Sequence, residues 1–147
     1  MSRLALVLPI CGCALALAAC GSSSGLTRAQ YDAKVSRLCL VAADQFRELH
    51  MDYTVGSWRQ SGADAVRIAQ HFDRAVAALK APSAIASGAA AFLEANQKFA
   101  ADYQDGVAAA KAGNPATLLL IDRRASTDGA ATSRAAKAIG ATGCYIG

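Results

Sequence analysis

The chain has 147 residues and a formal charge of +4, with 18% charged, 54% hydrophobic and only 6% aromatic residues. The positive balance is small and scattered, and no basic run with interleaved aromatics occurs, so nucleic acid is excluded as a natural partner. Alanine supplies about a quarter of the residues, which favours helices because alanine loses no side-chain entropy and lets backbones approach closely.

The N-terminus reads as an export signal. Arg3 gives the positive start, Leu4 to Leu17 is an apolar run broken by Pro9 and Gly12, and Leu17-Ala18-Ala19-Cys20 closes it with small residues before a cysteine. A membrane-spanning helix wants about 20 apolar residues without such breaks, and an ordinary secretory signal cut elsewhere would leave Cys20 without a role. The segment resembles the lipobox of bacterial lipoproteins. That resemblance implies a signal peptide over residues 1–19, diacylglycerol and further acyl (palmitate-type) chains on Cys20, and residues 20–26, rich in Gly and Ser, as lipid anchor and tether. Two or more acyl chains make a stable anchor, since each buried CH₂ contributes about 0.8 kcal/mol. The expected address is the extracytoplasmic face of a bacterial cell membrane, and the charge falls to +3 when Arg3 leaves with the signal.

Cysteine arithmetic constrains the rest. Cys11 and Cys13 lie in the signal and Cys20 takes lipid, leaving Cys39 and Cys144. In an oxidising compartment these two join, the alternatives being free thiols or an intermolecular bridge. His50 and His71 stand at no ligand spacing to them, so no metal site is expected.

Residues 27–147 carry four helical patterns. Thr27 caps a first helix whose apolar stripe is Tyr31, Val35, Leu38, Ala42, Phe46, Leu49 and Tyr53. Gly56, Ser57 and Gly62 interrupt the pattern, and Ser61 with Asp64 resembles a capping box opening a second helix, with Ala65, Ile68, Phe72, Val76 and Leu79, that stops before Pro82. A third runs from near Ser83 to Ala112 on Ile85, Phe92, Phe99, Tyr103 and Val107, and Gly113 ends it. Asn114-Pro115 starts a fourth, striped by Leu118, Ile121, Ala125, Thr132 and Ile139 and closed by Gly140. No alternating run of β-branched residues argues for a strand. The expected fold class is all-α: an antiparallel up-down four-helix bundle closed by a Cys39–Cys144 disulfide, with Tyr145 and Ile146 covering the bottom of its core.

The lipobox and polar tether, Leu26-Thr27-Arg28-Ala29-Gln30-Tyr31, Leu38-Cys39, Ala81-Pro82, Ala112-Gly113-Asn114 and the terminal Ala138-Ile139-Gly140-Ala141-Thr142-Gly143-Cys144 together look like small actinobacterial lipoproteins. The resemblance implies an anchored, disulfide-closed helical domain at the cell envelope, and implies no activity.

Enzyme chemistry finds no purchase. No serine or cysteine pairs with either histidine through an enforced motif, Asp102/Asp105 and Asp122/Asp128 are ordinary helical spacings, and neither Glu-x-x-His nor Cys-x-x-Cys-His occurs. No cofactor is expected. Two readings remain. In the first, a non-enzymatic envelope lipoprotein meets a protein partner at its distal tip, where Tyr53 and Trp58 lie, the alternative being that the two cap the open end of the core; basic residues at the other end (Arg28, Lys34, Arg37, Lys80, Arg134, Lys137) face anionic headgroups or form a solvated face with helix-end charge preferences. In the second, a binding module holds a small apolar or lipid-like ligand between its helices, and larger side chains at Ala89 or Ala125 would abolish uptake.

Overall fold

The computed structural model describes residues 25–144. Residues 1–19, expected as a signal peptide, Cys20, expected to take lipid, and the terminal Tyr145 and Ile146 lie outside the described residues. Four helices account for nearly all of the rest: α1 Arg28–Glu48, α2 Val55–Ala77, α3 Ala86–Lys111 and α4 Pro115–Ile139, with 3₁₀ turns at Ser83–Ile85 and Thr142–Cys144. Among the described residues there is no strand, and no helix is long and apolar enough to cross a membrane.

Local chemistry sets most helix ends. Thr27 and Gln30 form a reciprocal capping box at α1: the Gln30 N–H donates to Thr27 Oγ1 at 3.2 Å and the Thr27 N–H to Gln30 Oε1 at 2.9 Å. Asn114 accepts from the Thr117 N–H at 3.0 Å, with Pro115 in the first turn of α4. Gly140, at φ 86°, takes the left-handed conformation that ends α4, and the Ala141 N–H returns to the Ala136 carbonyl at 3.0 Å.

The start of α2 departs from the expectation. The capping box at Ser61 and Asp64 does not form; α2 begins two turns earlier, so Gly56, Ser57 and Gly62 are helical. The cap is Thr54, which accepts from the Ser57 N–H at 3.2 Å, and Asp52 Oδ1 accepts from the Thr54 N–H at 3.0 Å and from its hydroxyl at 2.6 Å. Asp64 instead pairs with Arg67 on the helix surface. Tyr53, expected on the first helix, lies in the turn beyond it.

The helices assemble around two clusters. In one, Tyr31 and Val35 of α1 meet Phe72 and Val76 of α2, Phe92 of α3 and Ile139 of α4. In the other, Trp58 of α2 meets Ala109 and Ala110 at the end of α3 and Leu118 and Ile121 at the start of α4. The α2–α3 and α3–α4 pairs pack along their lengths, whereas α1 rests on α2 and on the Thr142–Cys144 turn.

Cys39 and Cys144 form a disulfide with Cα atoms 5.0 Å apart, within the ordinary range for the bond. Two further features seat the turn on α1. The Gly143 N–H donates to Ser36 Oγ at 3.3 Å, and a Cβ at Gly143 would stand 2.5 Å from the Ser36 carbonyl oxygen, so only glycine allows this approach.

Candidate functional site

A cavity beside α1 follows from side-chain size. Phe46 of α1 stacks on Tyr103 of α3 with ring centroids 5.1 Å apart, and Phe99 meets the same ring edge-on at 5.1 Å. These rings join α1 to α3. One turn further along, α1 and α2 present Ala42, Ala43 and Ala69, which cannot fill the gap. The result is a cavity of about 580 Å³, within the range of sites that take small organic ligands. All four helices line it, and the Cys39–Cys144 bridge with Gly143 forms one end.

Its wall is mainly apolar and aromatic, with Arg47 of α1 and three further polar side chains in its lining. Asp73 of α2, Asn96 of α3 and Thr132 of α4 all line it. Asn96 and Thr132 are buried. The Asn96 amide N–H donates to the Phe92 carbonyl at 2.8 Å. Thr132 Oγ1 and Asp73 Oδ1 are buried and have no hydrogen-bond partner among the described residues. An unpaired buried polar atom costs about 1–3 kcal/mol, so two of them on one cavity mark a place where a guest would be stabilised. Burial pushes the Asp73 carboxyl up to about 6, with nearby Arg74 opposing the shift.

A second, smaller cavity of about 370 Å³ shares Phe99 and Tyr103 with the first and lies over α4, where Ala125 and Gly129 leave room. Trp58 and Asp102 line it, and Trp58 Nε1 and Asp102 Oδ2 are again buried without partners among the described residues. Asp102 is 2% exposed; its other oxygen is held by Arg124, which also reaches Asp105. Desolvation raises the Asp102 carboxyl, and the Arg124 guanidinium pulls it back. Tyr103, buried beside Tyr53 and Asp102, is pushed to about 12 and stays neutral.

The structure separates the residues expected at the distal tip. Tyr53 is 57% exposed, and an Asp122 hydrogen bond holds its hydroxyl above the usual range. Trp58 is 6% exposed, its indole lying against Gly62 and Gly106 and 5.7 Å from the Tyr103 ring. A Cβ at Gly106 would penetrate that indole. Trp58 is therefore a core residue and unavailable to a partner at the surface. Of the two alanines expected to line a ligand cavity, Ala125 lines the smaller one, while Ala89 is closed into the first cluster. His50 stands in the α1–α2 turn at φ 45°, and among the described residues no group of three or more His, Cys, Asp or Glu could hold a metal ion.

Asp73, Asn96 and Thr132 were not singled out from the sequence as site residues. The available signal was polar residues set into apolar stripes: Ala69-Asp73-Val76, Phe92-Asn96-Phe99, and Thr132 between Ala125 and Ile139.

No family model, curated protein or solved structure matches this chain, and the functional reading rests on the geometry of the cavity.

Proposed function

We propose that the chain is a lipid-anchored module of the bacterial cell envelope that holds a small, largely apolar ligand between its helices. The observation that carries this reading is the 580 Å³ cavity walled by all four helices, with Asp73 Oδ1 and Thr132 Oγ1 unpaired among the described residues. An alanine-rich bundle that served only as a spacer would close on itself, since alanine lets helices approach; here a space stays open beside the Phe46, Phe99 and Tyr103 rings. The anchor belongs to the reading through the Leu17-Ala18-Ala19-Cys20 lipobox: residues 1–19 are removed, Cys20 takes the acyl chains and the domain stands on the extracytoplasmic side of the membrane. The helices run in antiparallel up-down order. Contacts between Trp58 and Gly106, and between Gly88 and Ile139, support this by setting the start of one helix against the end of the next.

The test uses the chain from Gly21 onward, secreted into an oxidising compartment and purified without detergent. N-phenyl-1-naphthylamine, whose emission rises in apolar surroundings, should bind saturably at one site. Ala42→Leu, which puts a larger helix-favouring side chain into the cavity, should abolish the uptake while leaving far-UV circular dichroism unchanged. No saturable uptake by the wild-type chain, or full uptake by Ala42→Leu, would refute the reading.

A second reading keeps a protein partner at the distal end. It rests on exposed apolar side chains: Tyr53 at 57%, with Leu119 and Leu120 at 57% and 64% on the first turns of α4. A photo-crosslinker at position 119 in the native envelope should trap a discrete partner, and Leu120→Asp should eliminate it. An unchanged product would remove this surface from consideration.

A further inference from the structure

The cavity's polar groups are unequal in kind, and that inequality bears on what it holds. Asp73 contributes a carboxyl, Asn96 an amide with one N–H engaged by the Phe92 carbonyl, and Thr132 a hydroxyl that accepts as readily as it donates. They come from three different helices and line one space. Acceptors therefore predominate, and two of the atoms have no donor among the described residues. The cation at the rim does not answer them: Arg47 lies in an ion pair with Asp44 at 2.8 Å, with its side chain 74% exposed.

We propose, building on the ligand-holding reading above, that the occupant is an aliphatic amine whose primary ammonium sits against Asp73, Asn96 and Thr132 and whose apolar tail lies among Phe46, Phe99 and Tyr103. An ammonium brings three donors and no acceptor, the complement of the groups present. A carboxylate would face Asp73 with like charge. The tail meets the four-helix wall where alanines leave room, so chain length is limited by the cavity and head-group chemistry by its three polar residues. Near neutral pH the Asp73 carboxyl, at about 6, is ionised and adds charge to the hydrogen bond.

The experiment displaces N-phenyl-1-naphthylamine from the same soluble chain at pH 7.5 with decylamine, decanol and decanoate, each below its micelle concentration. Decylamine should displace about tenfold or more better than decanoate, the ratio expected of one charge-assisted hydrogen bond. The chain's own positive charge works the other way, favouring the anion, so the preference cannot come from bulk attraction. Asp73→Asn should bring the two within about threefold while still taking up the probe. Thr132→Val, nearly isosteric, should weaken decylamine about twofold to fivefold without changing decanoate, and serves as the independent variant. Equal displacement by all three head groups, or an amine preference that survives both substitutions, would overturn the ammonium assignment and leave the ligand-holding reading standing. Absence of probe uptake would overturn both.

Discussion

Reduction of Cys39–Cys144 should be the largest single perturbation of this fold. The bond closes a loop with a sequence separation of 105, for which the chain-entropy treatment gives about 4.7 kcal/mol. For about 120 ordered residues each kcal/mol moves the midpoint by roughly 4 °C, so the expected fall is about 15–20 °C. The effect should also be local. Helix α1 is held by α2 and by the Thr142–Cys144 turn, and the disulfide is the covalent part of that hold. The assay is thermal unfolding by circular dichroism with and without a phosphine reductant, which leaves both sulfurs in place, paired with amide hydrogen exchange. Amides of α1 should lose protection before those of α3 and α4. A midpoint change below about 5 °C, or loss of protection spread evenly over all four helices, would refute the account.

Three other outcomes follow from the packing. Gly106→Ala should destabilise the fold by about 1–3 kcal/mol despite alanine's better helix propensity, because its Cβ meets the Trp58 indole; in a Trp58→Leu background the same change should be neutral or stabilising in denaturant titrations, and equal costs in both backgrounds would contradict this. Asp73→Asn should stabilise the empty protein at pH 7.5 by about 1–2 kcal/mol and change little at pH 4. The sign follows from the carboxyl's rise from 3.8 to about 6: stability held below pH 4 is lost as pH climbs through 6, a span worth up to about 3 kcal/mol before solvent screening reduces it. A variant less stable than wild type at pH 7.5 would reverse the argument. Arg124→Met should cost about 2 kcal/mol at pH 7 by leaving the buried Asp102 without its cation, with a smaller loss at acid pH where Asp102 takes a proton; a loss independent of pH would exclude that cause.

Several elements were legible without coordinates because their causes are local. The Thr27 cap, the Gly113-Asn114-Pro115 break and the Gly140 stop each act within one helical turn, and each ends a helix where the pattern placed it. The disulfide was legible because Cys39 and Cys144 are the two cysteines of the helical segment. The start of α2 was misread because Ser61 and Asp64 satisfy the same local rule as Thr54, and choosing between them depends on Trp58. With α2 extended back to Val55, the indole enters the space left by Gly62 and Gly106; the second of these glycines belongs to α3, and no pattern within α2 reveals it.

The sequence alone determined four amphipathic helices, where most of them end, and that Cys39 and Cys144 are the two cysteines of the helical segment, because helix capping and apolar periodicity are short-range. Tertiary structure decided that Trp58 is core while Tyr53 stays exposed, and that a cavity lies beside α1. Both depend on the sizes of side chains facing one another from helices far apart in sequence: glycine opposite an indole draws two helices together, and stacked rings beside alanine leave a cavity whose polar lining no single helix displays.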